Sequence, residues 1–234
     1  GSFQDIKERK KSEYILQKNH QQLEKQMALM HVNSQTQLDI IQQKNIHDAF
    51  NLLLNNTLSL TNSEYGFIGE IIYHDDGTPY LKTNAITDIS WNKETEQFYQ
   101  ENAPEGLKFE NMNSLFGVAI TSLKPVIANS PYDDPRRTGL PEGHPAMHAF
   151  LGLPVVRNGV GIAMIGIANR PGGYDQELVD WIEPLMVTLG HIIDGINTRQ
   201  ARDKAISEME VARDFAEAAA KTKSEFLASM SHEI

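Results

Sequence analysis

The C-terminal stretch of the chain reads Lys223-Ser224-Glu225-Phe226-Leu227-Ala228-Ser229-Met230-Ser231-His232-Glu233-Ile234. Neither Pro nor Gly interrupts it. At about 100° per residue, Phe226, Leu227, Met230 and Ile234 fall within one quadrant of a helix, and His232 falls almost opposite. An apolar face of this kind pins a helix into a bundle and leaves the imidazole in solvent, where it is free to react. The competing reading is a lone surface histidine with no chemistry.

A second set of candidates lies in the middle of the chain. Arg136-Arg137 has the fork geometry to clamp an anion, although Asp133 and Asp134 are close enough in sequence to bridge it. His144 and His148 are four apart, so a helix places both on one face with a metal-like spacing. No third ligand stands near them, and no metal site is assigned. Phe67, Trp91, Phe116, Tyr132 and Phe150 are candidates to line a ligand pocket, with plain core packing as the rival for each.

Composition narrows the classes. The 234 residues contain no cysteine, which removes disulfides, thiolate metal sites and cysteine nucleophiles. Net charge is −10, from 31 acidic and 21 basic groups. That balance disfavours nucleic acid and anionic membranes as partners. The longest apolar run, residues 160–168, has the length of a buried strand and falls well short of the roughly 20 residues that cross a bilayer. A cytoplasmic setting is expected, and the parent protein can carry membrane spans upstream.

The elements that position these residues fall into three parts, after Gly1-Ser2, which reads as a cloning remnant. Residues 3–44 form a polar helix. Leu16, Leu23 and Met30 recur every seven residues beside His20, Met27, Ser34 and Ile41, an imperfect heptad pattern that suits an adjustable coiled coil. Residues 45–173 alternate short elements. An apolar helix over 46–60 precedes a strand over 66–74, the turn Asp75-Asp76-Gly77-Thr78 and a returning strand over 80–89. Helices over 92–101 and 114–122, a strand over 125–128 and a loop over 129–143 follow. A short helix over 145–150 leads to a second hairpin, with strands over 152–157 and 160–169 joined at Asn158-Gly159. The order predicts an α+β domain with an antiparallel sheet. From Tyr174 onward the chain is helical, with Asp175 as N-cap. Leu178, Ile182, Leu185, Leu189, Ile192 and Ile196 form a stripe, and Pro184 marks a kink or a break at Glu183.

The terminal string, with Ser224 and the run Phe226 to Ile234, resembles the H-box of histidine kinase dimerisation domains. That resemblance implies that His232 accepts phosphate, and that Glu233 orients the other ring nitrogen and assists proton removal. Phe150-Leu151-Gly152-Leu153-Pro154-Val155, Gly139-Leu140-Pro141-Glu142-Gly143-His144-Pro145 and Ala168-Asn169-Arg170-Pro171-Gly172-Gly173-Tyr174-Asp175 resemble the GAF domains of hybrid histidine kinases. The implied fold is a central antiparallel sheet of about six strands, flanked by long N- and C-terminal helices that pair in dimers. The implied pocket lies between the sheet and residues 129–150, and its ligand is not named by the sequence. Phe3-Gln4-Asp5-Ile6-Lys7-Glu8-Arg9-Lys10 resembles the exit from a PAS domain.

The expectation is therefore a signal relay in which residues 174–222 carry a change from the domain to the H-box, residues 223–234. The expected partners are a second copy of the chain and, for the whole protein, a receiver domain. The rivals are a ligand-free connector and a haem or metal sensor. ATP and magnesium belong to the kinase core, whose nucleotide-binding motifs this sequence lacks, and no cofactor is assigned to the chain itself. Incubated alone with radiolabelled ATP, the chain is expected to incorporate no phosphate, and label on His232 would contradict this.

Overall fold

A computed structural model of the chain describes residues 3–42, 46–87, 106–137, 144 and 146–232. Helices α1 (Phe3–Gln42) and α2 (Ile46–Thr61) precede strands β1 (Tyr65–Tyr73), β2 (Pro79–Ile86) and β3 (Lys108–Phe109). Helix α3 (Leu115–Ser122), strands β4 (Val126–Ala128), β5 (Phe150–Arg157) and β6 (Val160–Ala168), and helix α4 (Gln176–His232) complete the order. The six strands form one antiparallel sheet in the order β3-β2-β1-β6-β5-β4. The α+β, GAF-like sheet expected from the sequence is present.

The hairpins form where the turn residues sit. Asp76 accepts from the Thr78 amide (2.9 Å) and hydroxyl (2.6 Å), and Gly77 supplies a φ of 82° that a side chain resists. Asn158 and Gly159 both take positive φ, 51° and 79°, as a two-residue hairpin of this hand requires.

Both faces of the sheet are covered, so the central strand β6 is apolar almost throughout. Ala163, Ile165 and Ile167 point to one face with Leu151, Leu153 and Val155 of β5. On that side α2 packs on β1 and β2, burying Phe50, Leu53 and Leu54. Each such side chain contributes roughly 1.5–3 kcal/mol of burial. The first turns of α4 share this face, and Gly190 lies against Val155 and Arg157. Two buried threonines on α2 satisfy themselves, Thr57 donating to Leu53 O and Thr61 to Thr57 O, each at 2.7 Å.

The opposite face carries Met164 and Ala168 of β6 with Phe150 of β5, under α3. Two glycines stand here in register, Gly152 opposite Gly166, and Gly166 is also opposite Phe67 of β1. The Phe67 ring occupies the space a Gly166 side chain would need, while Ala119 of α3 closes on Gly152. Ser114 caps α3, accepting from the Gly117 amide at 3.2 Å.

Three expectations change. Residues 146–149 are not helical but an irregular approach to β5. The side chain of Asn169 takes the Ala146 carbonyl (2.9 Å) and the His148 amide (2.7 Å), groups that a helix would have paired internally. The helix is not broken at Glu183, because α4 continues through Pro184. Strand β3 is an addition, too short to leave a pattern. The helix expected over 92–101 lies outside the described residues.

The chain divides into two compact units, Gly1–His191 and Ile192–Ile234. In the first, α1 packs against α2 and buries Leu29, whereas its heptad positions Leu16, Leu23 and Met30 are 71%, 54% and 71% exposed. In the second, every residue over 197–222 is exposed.

These contacts set opposite signs for two glycine substitutions. Gly166→Ala is expected to lower stability by about 1–3 kcal/mol, because the Phe67 ring must move. Gly195→Ala, in a helix with open space where the methyl would go, is expected to raise it by about 0.5–1 kcal/mol. Urea denaturation of both variants checks the pair.

Candidate ligand site and the root of the C-terminal helix

The site grows from alternate residues of β1, where Tyr65 and Phe67 share the face under α3. Phe67 meets Phe109 edge-on at 5.4 Å and Phe116 at 6.5 Å, and Phe109 and Phe116 are 5.6 Å apart. Phe150 is buried in the same cluster. Three of the aromatic candidates, Phe67, Phe116 and Phe150, therefore come together as an interdigitated floor. Phe109, which the sequence reading passed over, completes it from the short strand β3.

The rim is built by the loop after β4. Here the two adjacent arginines separate. Arg136 is engaged by Asp134, through Nε to Oδ1 at 2.9 Å and Nη2 to Oδ2 at 2.6 Å, and Nη2 also donates to the Ile127 carbonyl at 3.0 Å. That hydrogen-bonded pair holds the Asp134 carboxyl below its ordinary range and the guanidinium above its own. Arg137 instead lies over the ring of Tyr132 at 4.6 Å and donates from Nη1 to the Tyr132 carbonyl at 3.3 Å. Tyr132 is exposed.

The two histidines part as well. His144 stands edge-on to Tyr65 at 5.9 Å, whereas His148 is exposed and its backbone amide is held by Asn169. Without a helix they share no face, and the metal spacing lapses. Among the described residues no group of three or more His, Cys, Asp or Glu is placed to hold a metal. Trp91 lies outside the described residues, as do Glu233 and residues 138–143. The helical backbone of α4 includes His232.

Behind the rim lies a polar clasp that sequence reasoning missed. Asn129 grips the backbone of Tyr174 at both ends, accepting from its amide at 2.8 Å and donating to its carbonyl at 2.9 Å. Gly173, with φ 82°, packs against that amide and leaves no room for a side chain. The Tyr174 hydroxyl is 2.8 Å from Ser63, itself 2.8 Å from Thr61 at the end of α2. Asp175 then caps α4 by accepting from the Leu178 amide at 2.8 Å, as its position in sequence suggested. Asn169, with φ 61°, makes the matching brace to Ala146, His148 and Glu64. Asn129 followed a strand and Asn169 preceded Pro-Gly-Gly, which are signals of turns but not of partners 45 and 21–105 residues away.

Burial governs the tyrosines. It pushes the Tyr174 hydroxyl up to about 12, opposed by the Ser63 hydrogen bond. Tyr65 is also raised, by burial first and then by Glu64, Tyr132 and Tyr174.

The site therefore belongs to an α+β domain with a six-stranded antiparallel sheet, a loop-and-helix layer on one face and helices on the other. The chain belongs to the GAF domain family, whose profile matches residues 43–194. It is 24% identical over 230 residues to a methyl sulfide methyltransferase-associated sensor of Methanosarcina acetivorans, covering 97% of this chain and 21% of that protein. The chain thus spans about a fifth of that relative's length. Among solved structures it resembles the GAF domain of a phosphoenolpyruvate-protein phosphotransferase from Coxiella burnetii, with a TM-score of 0.57 at 16% identity over 76% of this chain and 98% of that one. It also resembles residues 122 to 287 of a methyl-accepting chemotaxis protein, with a TM-score of 0.52 at 16% identity over 73% and 99% of the two chains. Among the described residues no helix is long and apolar enough to cross a membrane.

The raised Tyr174 hydroxyl makes stability pH-dependent. Its neutral form is favoured in the folded state, so the contribution is complete below pH 10, the ordinary value, and is lost as pH rises through about 12. Urea midpoints measured from pH 8 to 11.5 are expected to fall above pH 10, less steeply in Tyr174→Phe. Asn129→Ala, which frees two buried backbone groups, is expected to cost about 1–3 kcal/mol at neutral pH.

Proposed function

We propose that this GAF domain is the sensory and relay segment of a two-component histidine kinase, and that His232 is the phosphate-accepting residue, assisted by Glu233. In this reading residues 3–44 are the signalling helix leaving a PAS domain and 45–173 the GAF domain. Residues 174–222 are the output helix and 223–234 the start of the dimerisation segment. The observation that carries the reading is the continuity of α4. It is rooted in the domain by the Tyr174 clasp and the Asp175 cap, and its helical backbone runs on to the H-box-like string. A sensor among the relatives fits the same role.

The reading includes a second copy of the chain. Leu16, Leu23, Met27 and Met30 on α1 are exposed, as are Ile206, Met209 and Phe215 on α4. Polar helices take most of their stability from packing, so bare apolar positions along them are stabilised by pairing. In the whole protein, located in the cytoplasm, ATP and magnesium act in a kinase core and a receiver domain takes the phosphate. An event in the GAF domain biases two packings of the paired helices, and His232 turns toward or away from the kinase core.

The full-length protein tests this through helix phase. Seven residues inserted between Arg199 and Lys221 change the phase by only about 20°, and phosphorylation of His232 is expected to persist. Two residues rotate it by about 200°, and control by the input is expected to be lost. His232→Gln is expected to abolish acid-labile phosphate, and label that survives this change overturns the assignment.

A further inference from the structure

Strand β4 covers only part of the edge of β5. Its pairing ends at Val126 opposite Gly152, so residues 153–157 of β5 have no neighbouring strand on that side among the described residues. The first turns of α4 run beside this bare edge, and the two enclose a groove of about 390 Å³. Leu153, Val155, Val179 and Met186 give it an apolar lining. None of the aromatic residues Phe67, Phe116 and Phe150 takes part in it, so it is separate from the floor described above.

Size and edge chemistry decide what enters. Pro154 has no N–H, so a strand added along β5 loses a ladder bond at that residue. A three-turn helix, about 10 Å across and 16 Å long, fills about 1,200 Å³ and is too large. Pockets for small molecules begin at about 300 Å³. The wall supplied by α4 sets the sign of charge. Gln176, Asp180, Glu183 and Val187, at helical spacing, line the groove from that side. Gln176 donates to Oδ1 of Asp180 at 2.7 Å and orients that carboxylate. Among the described residues no ion pair engages Asp180 or Glu183. Residues 176–198 contain Glu177, Asp180, Glu183 and Asp194 and neither Lys nor Arg. Pro184 cannot donate to the Asp180 carbonyl, which leaves a further acceptor on the same turn without its helical donor. Arg157 also lines the groove, but its guanidinium lies against Gly190, beyond Val187.

We infer that the groove between β5 and the first turns of α4 binds a small organic cation, with its ammonium group on Asp180 and Glu183 and its hydrocarbon body on Leu153, Val155, Val179 and Met186. Asp180 and Glu183 are three apart on one helix, close enough to meet a single ammonium. A hydrated inorganic cation gains nothing from the apolar lining, which therefore selects an amine with a hydrocarbon body. An occupied groove ties the first turns of α4 to the sheet edge, independently of the aromatic floor. The inference goes beyond the relay reading and holds whether or not His232 takes phosphate.

The test uses the chain as it stands, with hexylamine and phenethylamine as probes against hexanol, 2-phenylethanol and hexanoate at pH 7. Two-dimensional ¹H–¹³C spectra of the methionine methyl groups report the contact, with the Met186 signal identified by its loss in Met186→Leu. At least one amine is expected to shift that signal saturably at concentrations up to about 10 mM, and its matched alcohol to bind about tenfold more weakly or worse. The double change Asp180→Asn with Glu183→Gln, at exposed positions, is expected to weaken amine binding by about tenfold or more and to leave the alcohol response as it was. Val187→Phe, at a position 50% exposed, is expected to fill the groove and abolish the shift. Circular dichroism verifies that both variants are folded. No shift with either amine, equal binding of the alcohols, or tighter binding of hexanoate overturns the inference. So does amine binding that survives the double change or Val187→Phe. The phase-insertion result in the full-length protein is independent of these outcomes, so a failure here leaves the relay reading standing.

Discussion

The side-chain amide of Asn129 on the backbone of Tyr174 is the contact on which the rest of the architecture turns. The C-terminal helix leaves the domain soon after β6, and something must fix its first turn. Asn129 matches both polar groups of one residue, Gly173 removes the side chain that would block it, and the Tyr174 hydroxyl reaches Ser63 at the end of α2. One residue thus ties the loop after β4, the end of α2 and the start of α4. Because Tyr174 is buried, the tie is strengthened by its dry surroundings and weakened by anything that ionises it.

A sheet covered on both faces places α3 with its aromatic floor and the α2–α4 layer on opposite sides of the same strands. The Gly152–Gly166 pair lets α3 and the Phe67 ring approach the strands closely. Ala163, Ile165 and Ile167 of β6 are fully buried on the other face. The loop that carries Arg136 and Arg137 begins at Asn129, which holds the backbone of Tyr174.

Much of the fold was legible because it depends on local signals. Asp76-Gly77 and Asn158-Gly159 mark their hairpins, the 3–4 spacing of Leu178, Ile182, Leu185 and Leu189 marks a buried helix face, and Asp175 marks its cap. What failed was what distant partners decide. Residues 145–150 looked like a helix, but Asn169 claims the Ala146 carbonyl and the His148 amide from 23 and 21 residues away. Pro184 allowed either a kink or a break at Glu183, and the break does not occur: one lost hydrogen bond on an exposed turn is offset by the packed Ile182, Leu185 and Leu189 beside it. The site was legible as a list of residue types. Its division into an Arg136 held by Asp134, an Arg137 laid over Tyr132 and a packed Phe67–Phe116–Phe150 floor required coordinates, since adjacent identical residues carry no sequence signal of their different partners.

The central claim is that events in the domain reach His232 through the root of α4. Its most direct test is the amount of acid-labile phosphate on His232 in the full-length protein carrying Asn129→Ala, with the folded state verified by its circular dichroism. Cutting the clasp is expected to change that amount by about fivefold or more, the scale of an ordinary coupling free energy. An unchanged phosphate level in a folded Asn129→Ala protein would contradict the account.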